Sequence, residues 1–373
     1  MKIAFCNRAN YQAGGDGVQM LKTKQYLELE YPDVVINIIT DPNLLTKEYD
    51  IAHIFNYASC EITQSFFEKA IELRIKIVSS TIFWDYSYSI MPLPMILGKK
   101  YSFITESHVL LYRKLNQLFS RIPLSKFQKA YFTVSKDFST KCKYFIENSV
   151  LILSNSYEEG VLCCDFARYP EGKDKIHVVY NGVDINKVDI VPKEEFFSKY
   201  KIPQDFILQV GRVEYIKNQL NLVASLMDNP ELPIVILGNN RYYEPYTNMI
   251  KELADKRGNV FFVSNVPHDE VYSFYAYAKV HVLLSLRESP GLVSMEALSQ
   301  GCPIVISDER FLPLKTYFQN QYIAVNPFDK AAIKQAILTQ YNAERKKVDM
   351  TKFDWAVAAK QTYEAYQKVL DIR

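Results

Sequence analysis

The residues best suited to chemistry lie in Arg287–Ala297, a stretch that reads RESPGLVSMEA. It separates a predicted strand from a predicted helix, so Glu288 lies on the strand-to-helix loop and Glu296 about one and a half turns into the helix. The first turn of a helix offers unpaired N–H groups and a positive dipole end, which together bind anions. Gly291 allows a close backbone approach, and Pro290 suits the first turn. We therefore expect a phosphate at these amides, with Glu296 directed toward the group attached to it. The alternative is that both glutamates are solvated surface charges.

A second stretch, Gln209–Gln219, reads QVGRVEYIKNQ and follows a predicted strand. Gly211 permits a sharp turn, and Arg212 and Lys217 bracket the loop that follows. A planar guanidinium and a compact ammonium are complementary phosphate ligands. Without a metal ion, the charge of a leaving diphosphate must be balanced by such cations and by amides, each charge-assisted bond contributing about 1.5–3 kcal/mol. The loop therefore indicates diphosphate binding, although a G-R-x4-K pattern alone is weakly specific.

The elements that must position these loops alternate regularly along the chain, short β-branched runs with longer amphipathic ones. The predicted strands are Lys2–Cys6, Val34–Ile39, Ile51–Phe55, Lys76–Ser79, Ala130–Val134, Val150–Leu153, Ile176–Val179, Phe206–Val210, Pro233–Leu237, Val260–Val263, Val280–Ser285 and Pro303–Ser307. Strands that alternate with helices form parallel sheets covered on both faces. The two series therefore predict two doubly wound, Rossmann-like domains, joined near Asn181–Lys193, with ligands at the carboxyl ends of the strands.

The two stretches together resemble the family-4 retaining glycosyltransferases of the GT-B fold. That family has a Gly-Arg…Lys loop and an E-x7-E motif, and the pattern here is Arg212…Lys217 with Glu288…Glu296. The resemblance extends over nearly the whole chain. It also includes the Asn181-Gly182-Val183-Asp184 junction, the Gly14-Gly15 loop and Trp355 in the last helix.

The resemblance implies an α/β GT-B architecture, in which two Rossmann-like domains face a cleft and a C-terminal helix crosses back to the first domain. Residues 1–182, with the helix 353–373, would form the acceptor-binding domain. Residues 183–352 would form the domain that binds the nucleotide-sugar donor.

The resemblance also implies a role for each motif residue. Arg212 and Lys217 would bind the donor diphosphate and stabilise it as it leaves, and Glu288 would hold the hydroxyls of the donor sugar. Glu296 would accept hydrogen bonds from the ribose. The base would lie near Asn265-Val266 and Gly238-Asn239. The remaining donor-binding residues would be Gly14, Gly15, Gly211, Pro290, Gly291, Leu292 and Val293.

The sequence departs from the family pattern at two positions. Ser289 stands where a glycine is usual, and we expect little effect because serine is small. After the fourth strand, Thr81–Asp85 lacks the histidine that many members direct toward the acceptor. Asp85 is therefore our candidate on the acceptor side. The apolar and aromatic loop Ile82–Leu97 is a second candidate for contact with the acceptor.

Composition excludes several classes of protein. The net charge of +2 gives no reason to expect a nucleic-acid partner. No apolar run reaches the ~18–20 residues that span a bilayer, and the N-terminus lacks the pattern of a secretory signal. The six cysteines show neither disulfide nor metal spacing, so we expect reduced thiols in a cytoplasmic protein. No two aspartates lie two positions apart, so we expect no bound metal and no cofactor, a UDP- or GDP-sugar being a substrate.

The charge is nevertheless uneven. Ten Lys or Arg residues lie between Lys99 and Lys143, opposed only by Glu106 and Asp137. Such a stretch is typical of proteins that bind peripherally to an anionic membrane, and for a cytoplasmic protein this would be the inner face of the membrane. The alternative is a solvated helix face, and the sequence leaves both open.

The motifs and the family resemblance together predict a metal-independent transferase that moves a hexosyl or N-acetylhexosaminyl group to a hydroxyl, and the resemblance implies that it is a retaining enzyme. The acceptor would be a glycan, a lipid-linked sugar or a glycoprotein in bacterial cell-surface polysaccharide or glycoconjugate assembly. Two alternatives remain open. One is a non-catalytic pseudo-transferase that binds sugar nucleotides as a partner subunit, and the other is a GT-B-type epimerase or phosphorylase.

Overall fold

The computed structural model describes residues 1–11, 15–89, 95, 99–111, 136–184, 189–239, 244–318 and 322–372. They form two compact units. The first contains the described residues of Met1–Trp84, Leu124–Val183 and Thr351–Arg373, and the second contains those of Asp85–Pro123 and Asp184–Met350. The divisions after Val183 and Met350 fall close to the junctions at 182 and 352 that the sequence predicts.

Strands and helices alternate through both units. The strands are β1 (Lys2–Cys6), β2 (Val35–Ile39), β3 (Ile51–Phe55), β4 (Lys76–Ser80), β5 (Leu151–Ser154), β6 (Ile176–Val178), β7 (Ile207–Val210), β8 (Ile234–Leu237), β9 (Val260–Val263), β10 (Val280–Leu283), β11 (Ile304–Ser307) and β12 (Tyr322–Val325). The helices are α1 (Gly15–Glu30), α2 (Cys60–Leu73), α3 (Lys136–Asn148), α4 (Tyr157–Phe166), α5 (Lys193–Tyr200), α6 (Gln219–Ser225), α7 (Glu244–Arg257), α8 (His268–Tyr277), α9 (Leu292–Ser299), α10 (Leu314–Tyr317), α11 (Lys330–Tyr341) and α12 (Trp355–Asp371).

The sheet of the first unit has the strand order β2-β1-β3-β4-β5-β6, and all its pairs are parallel. Helix α12 completes this unit from the far end of the chain, as the resemblance predicts. It packs along α1, where the rings of Tyr31 and Tyr363 stack with their centroids 3.8 Å apart. Its Tyr366 is buried and hydrogen-bonds His53 of β3 at 2.6 Å. The Asp354 side chain caps the start of α12 by accepting from the N–H of Ala356.

The sheet of the second unit has the order β12-β11-β10-β7-β8-β9 and is also parallel throughout. Its central strands β7, β8, β10 and β11 are fully buried, as expected for β-branched runs covered by helices on both faces. The chain order reverses between β7 and β10, which makes this the topological switch point where open α/β sheets bind ligands. The loops after these two strands are the two motif stretches.

The structure adds elements that the sequence analysis did not identify, chiefly β12 and α11. Strand β12 lies at the edge of its sheet and is half exposed, so it lacks the continuous apolar run of the central strands. The predicted strand Ala130–Val134 lies outside the described residues.

The segment after β4 departs from the predicted domain division. Beginning at Asp85, its described residues pack in the second unit, whereas residues 1–182 were expected to form the first domain. The buried side chain of Asn221 on α6 accepts from the N–H of Ile104 at 2.7 Å and donates to its carbonyl at 2.8 Å. Met95, Tyr101 and Ile104 are buried as well. Burial of these apolar side chains holds the segment on the second unit.

Candidate active site

The loop after β7 is shaped by a close crossing of two backbones. An ideal Cβ on Gly238, which follows β8, would lie 2.1 Å from the carbonyl oxygen of Gly211, so only glycine fits there. The N–H of Gly211 donates to the carbonyl of Leu237 at 2.9 Å. The buried Gln209 side chain donates to the carbonyl of Lys217 at 2.7 Å and so fixes the far end of the loop.

Lys217 joins the two motif stretches. Its Nζ lies 2.5 Å from Oε1 of Glu288, and the two side chains are only 17% and 11% exposed. The loops are also joined through their backbones, because the N–H of Leu286 donates to the carbonyl of Ile216 at 2.7 Å. Residues that are 71 positions apart in the chain therefore meet at the switch point.

Arg212 is oriented differently from Lys217. Its guanidinium lies 2.9 Å from the carboxylate of Glu214 and its side chain is 40% exposed. The carbonyl of Arg212 accepts from the side chain of Gln219 at 2.8 Å, which anchors the backbone of the loop while the guanidinium remains accessible. The structure thus places both predicted cations on one loop but pairs them with different carboxylates.

The backbone around Glu288 and Gly291 forms a tight turn into α9. The N–H of Glu288 donates to the carbonyl of Phe311 at 2.8 Å. Gly291 is the N-cap of α9 with φ of 95°, a left-handed conformation that favours glycine. Pro290 precedes this N-cap, so the expectation that it lies in the first helical turn is wrong. The left-handed Gly291 shifts the start of the helix to Leu292.

The first turn of α9 keeps the character of an anion site. Gly291 has no side chain to cap the helix, so the amides of Leu292 and Val293 in the first turn receive no capping hydrogen bond from that residue. The Ser294 hydroxyl, also in this turn, is buried and has no hydrogen-bond partner among the described residues. A phosphate oxygen is an acceptor that such donors can share.

Glu296 lies one turn further along α9 and is 7% exposed. The Tyr275 hydroxyl on α8 donates to its Oε2 at 2.9 Å, and Nε2 of His268 lies 3.8 Å from its Oε1. Burial and the neighbouring Glu296 carboxylate raise the pKa of Tyr275 well above its usual value, so the phenol remains a donor. The sequence analysis missed both partners. His268, Tyr272 and Tyr275 are spaced at i, i+4 and i+7, so they share one face of α8. This spacing is the sequence pattern from which the two partners could have been predicted.

The loops predicted to hold the nucleotide base are those that follow β8 and β9. Both lie at the carboxyl-end edge of the second sheet, as the Lys217 and Glu288 loops do. Asn265 has φ of 59° and Val266 follows it, two residues before α8 begins at His268. Because His268 lies next to Glu296, the loop after β9 and the helix after β10 come together. The N–H of Gly238 donates to the carbonyl of Val263 at 2.8 Å, which ties the ends of β8 and β9.

The remaining donor-binding residues of the prediction, Gly14 and Gly15, follow β1 in the sequence. Gly14 is outside the described residues, and Gly15 is the exposed first residue of α1. Nearby, the guanidinium of Arg8 lies 2.9 Å from the buried carboxylate of Asp16, which also accepts from the Asn56 side chain at 3.0 Å. This polar cluster lies at the ends of β1 and β3, the switch point of the first sheet, and the sequence analysis did not identify it.

Asp85 begins the segment that packs in the second unit, and its carboxylate accepts from the N–H of Ser87 at 2.8 Å. Of the basic stretch Lys99–Lys143, the cations from 113 to 129 lie outside the described residues. In the described part, Lys100 pairs with Glu252 at 2.6 Å. No helix among the described residues is long and apolar enough to cross a bilayer.

All six cysteines are free thiols, as the sequence predicts.

Comparison with known proteins agrees with this geometry. Residues 192–353 match the family model described as glycosyl transferases group 1. A putative glycosyltransferase of Bacillus subtilis, YtcC, is 24% identical over 99% of this chain and 93% of its own length. The O-antigen chain mannosyltransferase RfbU of Salmonella typhimurium is 27% identical over 58% of this chain and 56% of its own. The chain spans about 60% of the length of several curated relatives that it matches.

Solved structures show the same fold. The HepE protein of Anabaena, in complex with UDP and glucose, superposes with a TM-score of 0.68 and 14% sequence identity. That alignment covers 99% of this chain and 100% of HepE. At this identity, the likeness concerns the fold.

Proposed function

We propose that this chain, which is a group 1 glycosyltransferase of the GT-B fold, moves a sugar from a nucleoside-diphosphate sugar to a hydroxyl acceptor without a metal ion and with retention at the anomeric carbon. One observation carries the proposal. Lys217 and Glu288, from the loops after β7 and β10, meet at the switch point of the second sheet. We also propose that the second unit binds the donor and the first unit the acceptor.

The leaving diphosphate determines what the site must supply. When the bond between the anomeric carbon and the phosphate oxygen breaks, its electron pair remains on the diphosphate. Lys217, Arg212 and the first-turn amides of α9 offset that charge. A preorganised donor aimed at developing charge contributes about 3–4 kcal/mol to the stability of a transition state. In this proposal Lys217 exchanges part of its contact with Glu288 for the diphosphate.

Glu288 then holds the hydroxyls of the donor sugar, because its carboxylate is an acceptor beside the proposed diphosphate position. Glu296 accepts hydrogen bonds from the ribose, and Tyr275 and His268 orient it. The acceptor hydroxyl attacks on the face that the diphosphate leaves, which keeps the anomeric configuration. Its proton passes to a phosphate oxygen of the leaving group.

Metal independence is supported by the sequence and by the charges at the site. No two aspartates lie two positions apart, so the chain has no Asp-x-Asp clamp. Lys217, Arg212 and the N-terminus of α9 are the groups that would offset a diphosphate of roughly two negative charges, once the cations exchange part of their contacts with Glu288 and Glu214. Assignment to family 4 within group 1 is part of the same proposal.

The relatives suggest a pathway class and a donor class. RfbU is named for the O-antigen chain, and the HepE structure contains UDP and glucose. We therefore propose a UDP- or GDP-sugar as donor and a glycan, lipid-linked or glycoprotein acceptor in cell-surface polysaccharide assembly. Peripheral contact of Lys99–Lys143 with an anionic membrane stays a prediction.

A panel of nucleotide sugars and nucleoside diphosphates tests the proposal. We expect one nucleoside diphosphate to raise the melting temperature, and its sugar conjugate to be turned over slowly by hydrolysis and faster with acceptor. Binding without any turnover would favour the pseudo-transferase. Conversion of the donor to an epimer, or consumption of a glycan with phosphate, would favour the epimerase or phosphorylase.

A further inference from the structure

The segment after β4 has contacts that the proposed reaction does not use. The 85–111 segment, described over residues 85–89, 95 and 99–111, packs on the second unit beside the Glu288 loop. It supplies the aromatic side chains of Tyr86 and Tyr88 to that loop and to the loop after β11.

Tyr86 contacts Arg287, the residue that precedes Glu288 in the chain. The guanidinium carbon of Arg287 lies 3.9 Å from the centroid of the Tyr86 ring, a close cation–π contact. A guanidinium on an aromatic face interacts both through planar stacking and through its positive charge, and the two interactions together restrict the rotamers of the arginine. Because Arg287 and Glu288 are adjacent, fixing Arg287 restricts the direction of the backbone from which the Glu288 side chain leaves.

Tyr88 contacts Phe311, whose carbonyl binds the backbone of Glu288. Its ring packs against Phe311 with centroids 5.1 Å apart, and the Phe311 carbonyl accepts the N–H of Glu288 at 2.8 Å. The Tyr88 hydroxyl donates to Glu106 at 2.9 Å, and Glu106 pairs with Arg310 at 2.9 Å. The segment therefore contacts Phe311 through the Tyr88 ring and the preceding residue, Arg310, through its ion pair with Glu106.

We propose that Tyr86 and Tyr88 are positioning residues that fix the direction of Glu288 and thereby control turnover of the donor sugar. The inference rests on the proposed function of Glu288. It assigns the segment a task in the second unit that its place in the sequence, directly after the Thr81–Asp85 loop, does not suggest. The aromatic rings act through Arg287 and Phe311 and need not touch the donor.

The test compares Tyr86→Leu with Tyr86→Phe in the full chain, using the nucleotide sugar that the panel identifies. We expect Tyr86→Leu to lower kcat about tenfold, in line with the loss of a close cation–π contact. Tyr86→Phe retains the aromatic face and is expected to stay within twofold of wild type. The Kd of the nucleoside diphosphate is expected to change less than twofold in both, because Lys217 and the α9 amides are untouched.

A second variant tests the same contact in case Tyr86→Leu does not fold. Arg287→Gln removes the other partner of the contact and is expected to lower kcat to the same extent, with no further loss in the double variant. Glu252→Gln breaks the exposed pair with Lys100 on the same segment and serves as the matched control, with kcat unchanged.

Wild-type kcat in Tyr86→Leu, or an equal loss of nucleotide affinity and kcat, would overturn the inference. Absence of turnover in the wild type with every donor would instead overturn the proposed function, and this inference with it.

Discussion

At the residue scale, the paired side chains of Lys217 and Glu288 are the centre of the candidate site. An ion pair this well covered costs solvation energy that its own attraction only partly returns, so stability alone is a weak reason to keep it. In the proposed function, the pair holds Lys217 in place for an incoming diphosphate, and Glu288 is its charge partner until that ligand binds. This arrangement suits a site that is alternately empty and occupied.

The first prediction concerns the two cations of the loop after β7, Lys217 and Arg212. We expect Lys217→Ala and Arg212→Ala each to lower kcat more than about 100-fold, the loss typical of removing one donor aimed at developing charge. Steady-state kinetics with the donor identified by the panel would measure it. The matched control is Lys334→Ala, which removes an exposed pair with Asp228 in the same unit and is expected to retain activity. Near-wild-type turnover in either motif variant would refute the assigned role.

At the element scale, helix α12 is bound to the first sheet by a buried polar contact. His53 of β3 is 1% exposed and hydrogen-bonds Tyr366 of α12 at 2.6 Å and Ser80 of β4 at 2.8 Å. Burial lowers the pKa of His53 from 6.5 to about 3, so the native protein holds it neutral. Burial also raises the pKa of Tyr366, which keeps its hydroxyl protonated.

The second prediction is a pH dependence of stability. The unfolded chain protonates His53 below pH 6.5 while the native state does not, so the unfolding free energy is complete above pH 6.5 and falls as the pH drops toward 3. The expected contribution between pH 6.5 and 5 is about 2 kcal/mol. Urea unfolding at pH 7 and pH 5 should therefore show a smaller loss in His53→Gln than in wild type.

Ser80→Ala is the control for this prediction. It removes a hydrogen-bond partner of His53 but keeps the imidazole, so the wild-type pH dependence should persist even if the protein is less stable. Equal pH dependence in His53→Gln and wild type would contradict the assigned cause. Burial also lowers the pKa of His281 to about 3, so part of the acid sensitivity is expected to remain in the variant.

At the scale of the whole molecule, the chain builds two parallel sheets whose switch points lie at β1/β3 and β7/β10. Polar and charged residues gather at both. The second switch point has the cations and the helix N-terminus expected of a nucleotide site, and the first has the cluster of Arg8, Asp16 and Asn56. Under the proposed function, the second switch point would bind the donor and the first would be available to the acceptor.

The third prediction concerns ligand and metal. A nucleoside diphosphate at about 100 times its Kd is expected to raise the unfolding free energy by about 2.7 kcal/mol. If protein cations and amides balance the diphosphate as proposed, the shift in melting temperature should be the same in excess EDTA and in Mg²⁺. Donor turnover should likewise survive EDTA. A shift seen only with Mg²⁺ would contradict metal independence.

The amino-acid sequence by itself determined the alternating architecture and the motif loops. These features are local, because β-branched runs indicate strands, and glycine and proline residues indicate where elements begin or end. The sequence also predicted that Lys217 and Glu288 lie on loops that follow strands, and the structure has them on the loops after β7 and β10. The same patterns predicted two doubly wound, Rossmann-like domains, whereas the GT-B fold was predicted from the family resemblance of the motif loops, and both predictions are confirmed.

Tertiary structure alone decided which of these residues meet. The pairing of Lys217 with Glu288, the hydrogen bond from Tyr275 to Glu296 and the position of Tyr86 on Arg287 join distant parts of the chain. Each depends on strand order and on the packing of helices, which no local pattern encodes. The 85–111 segment belongs to the second unit because its apolar side chains find their burial there, and sequence adjacency to β4 carries no information about that choice.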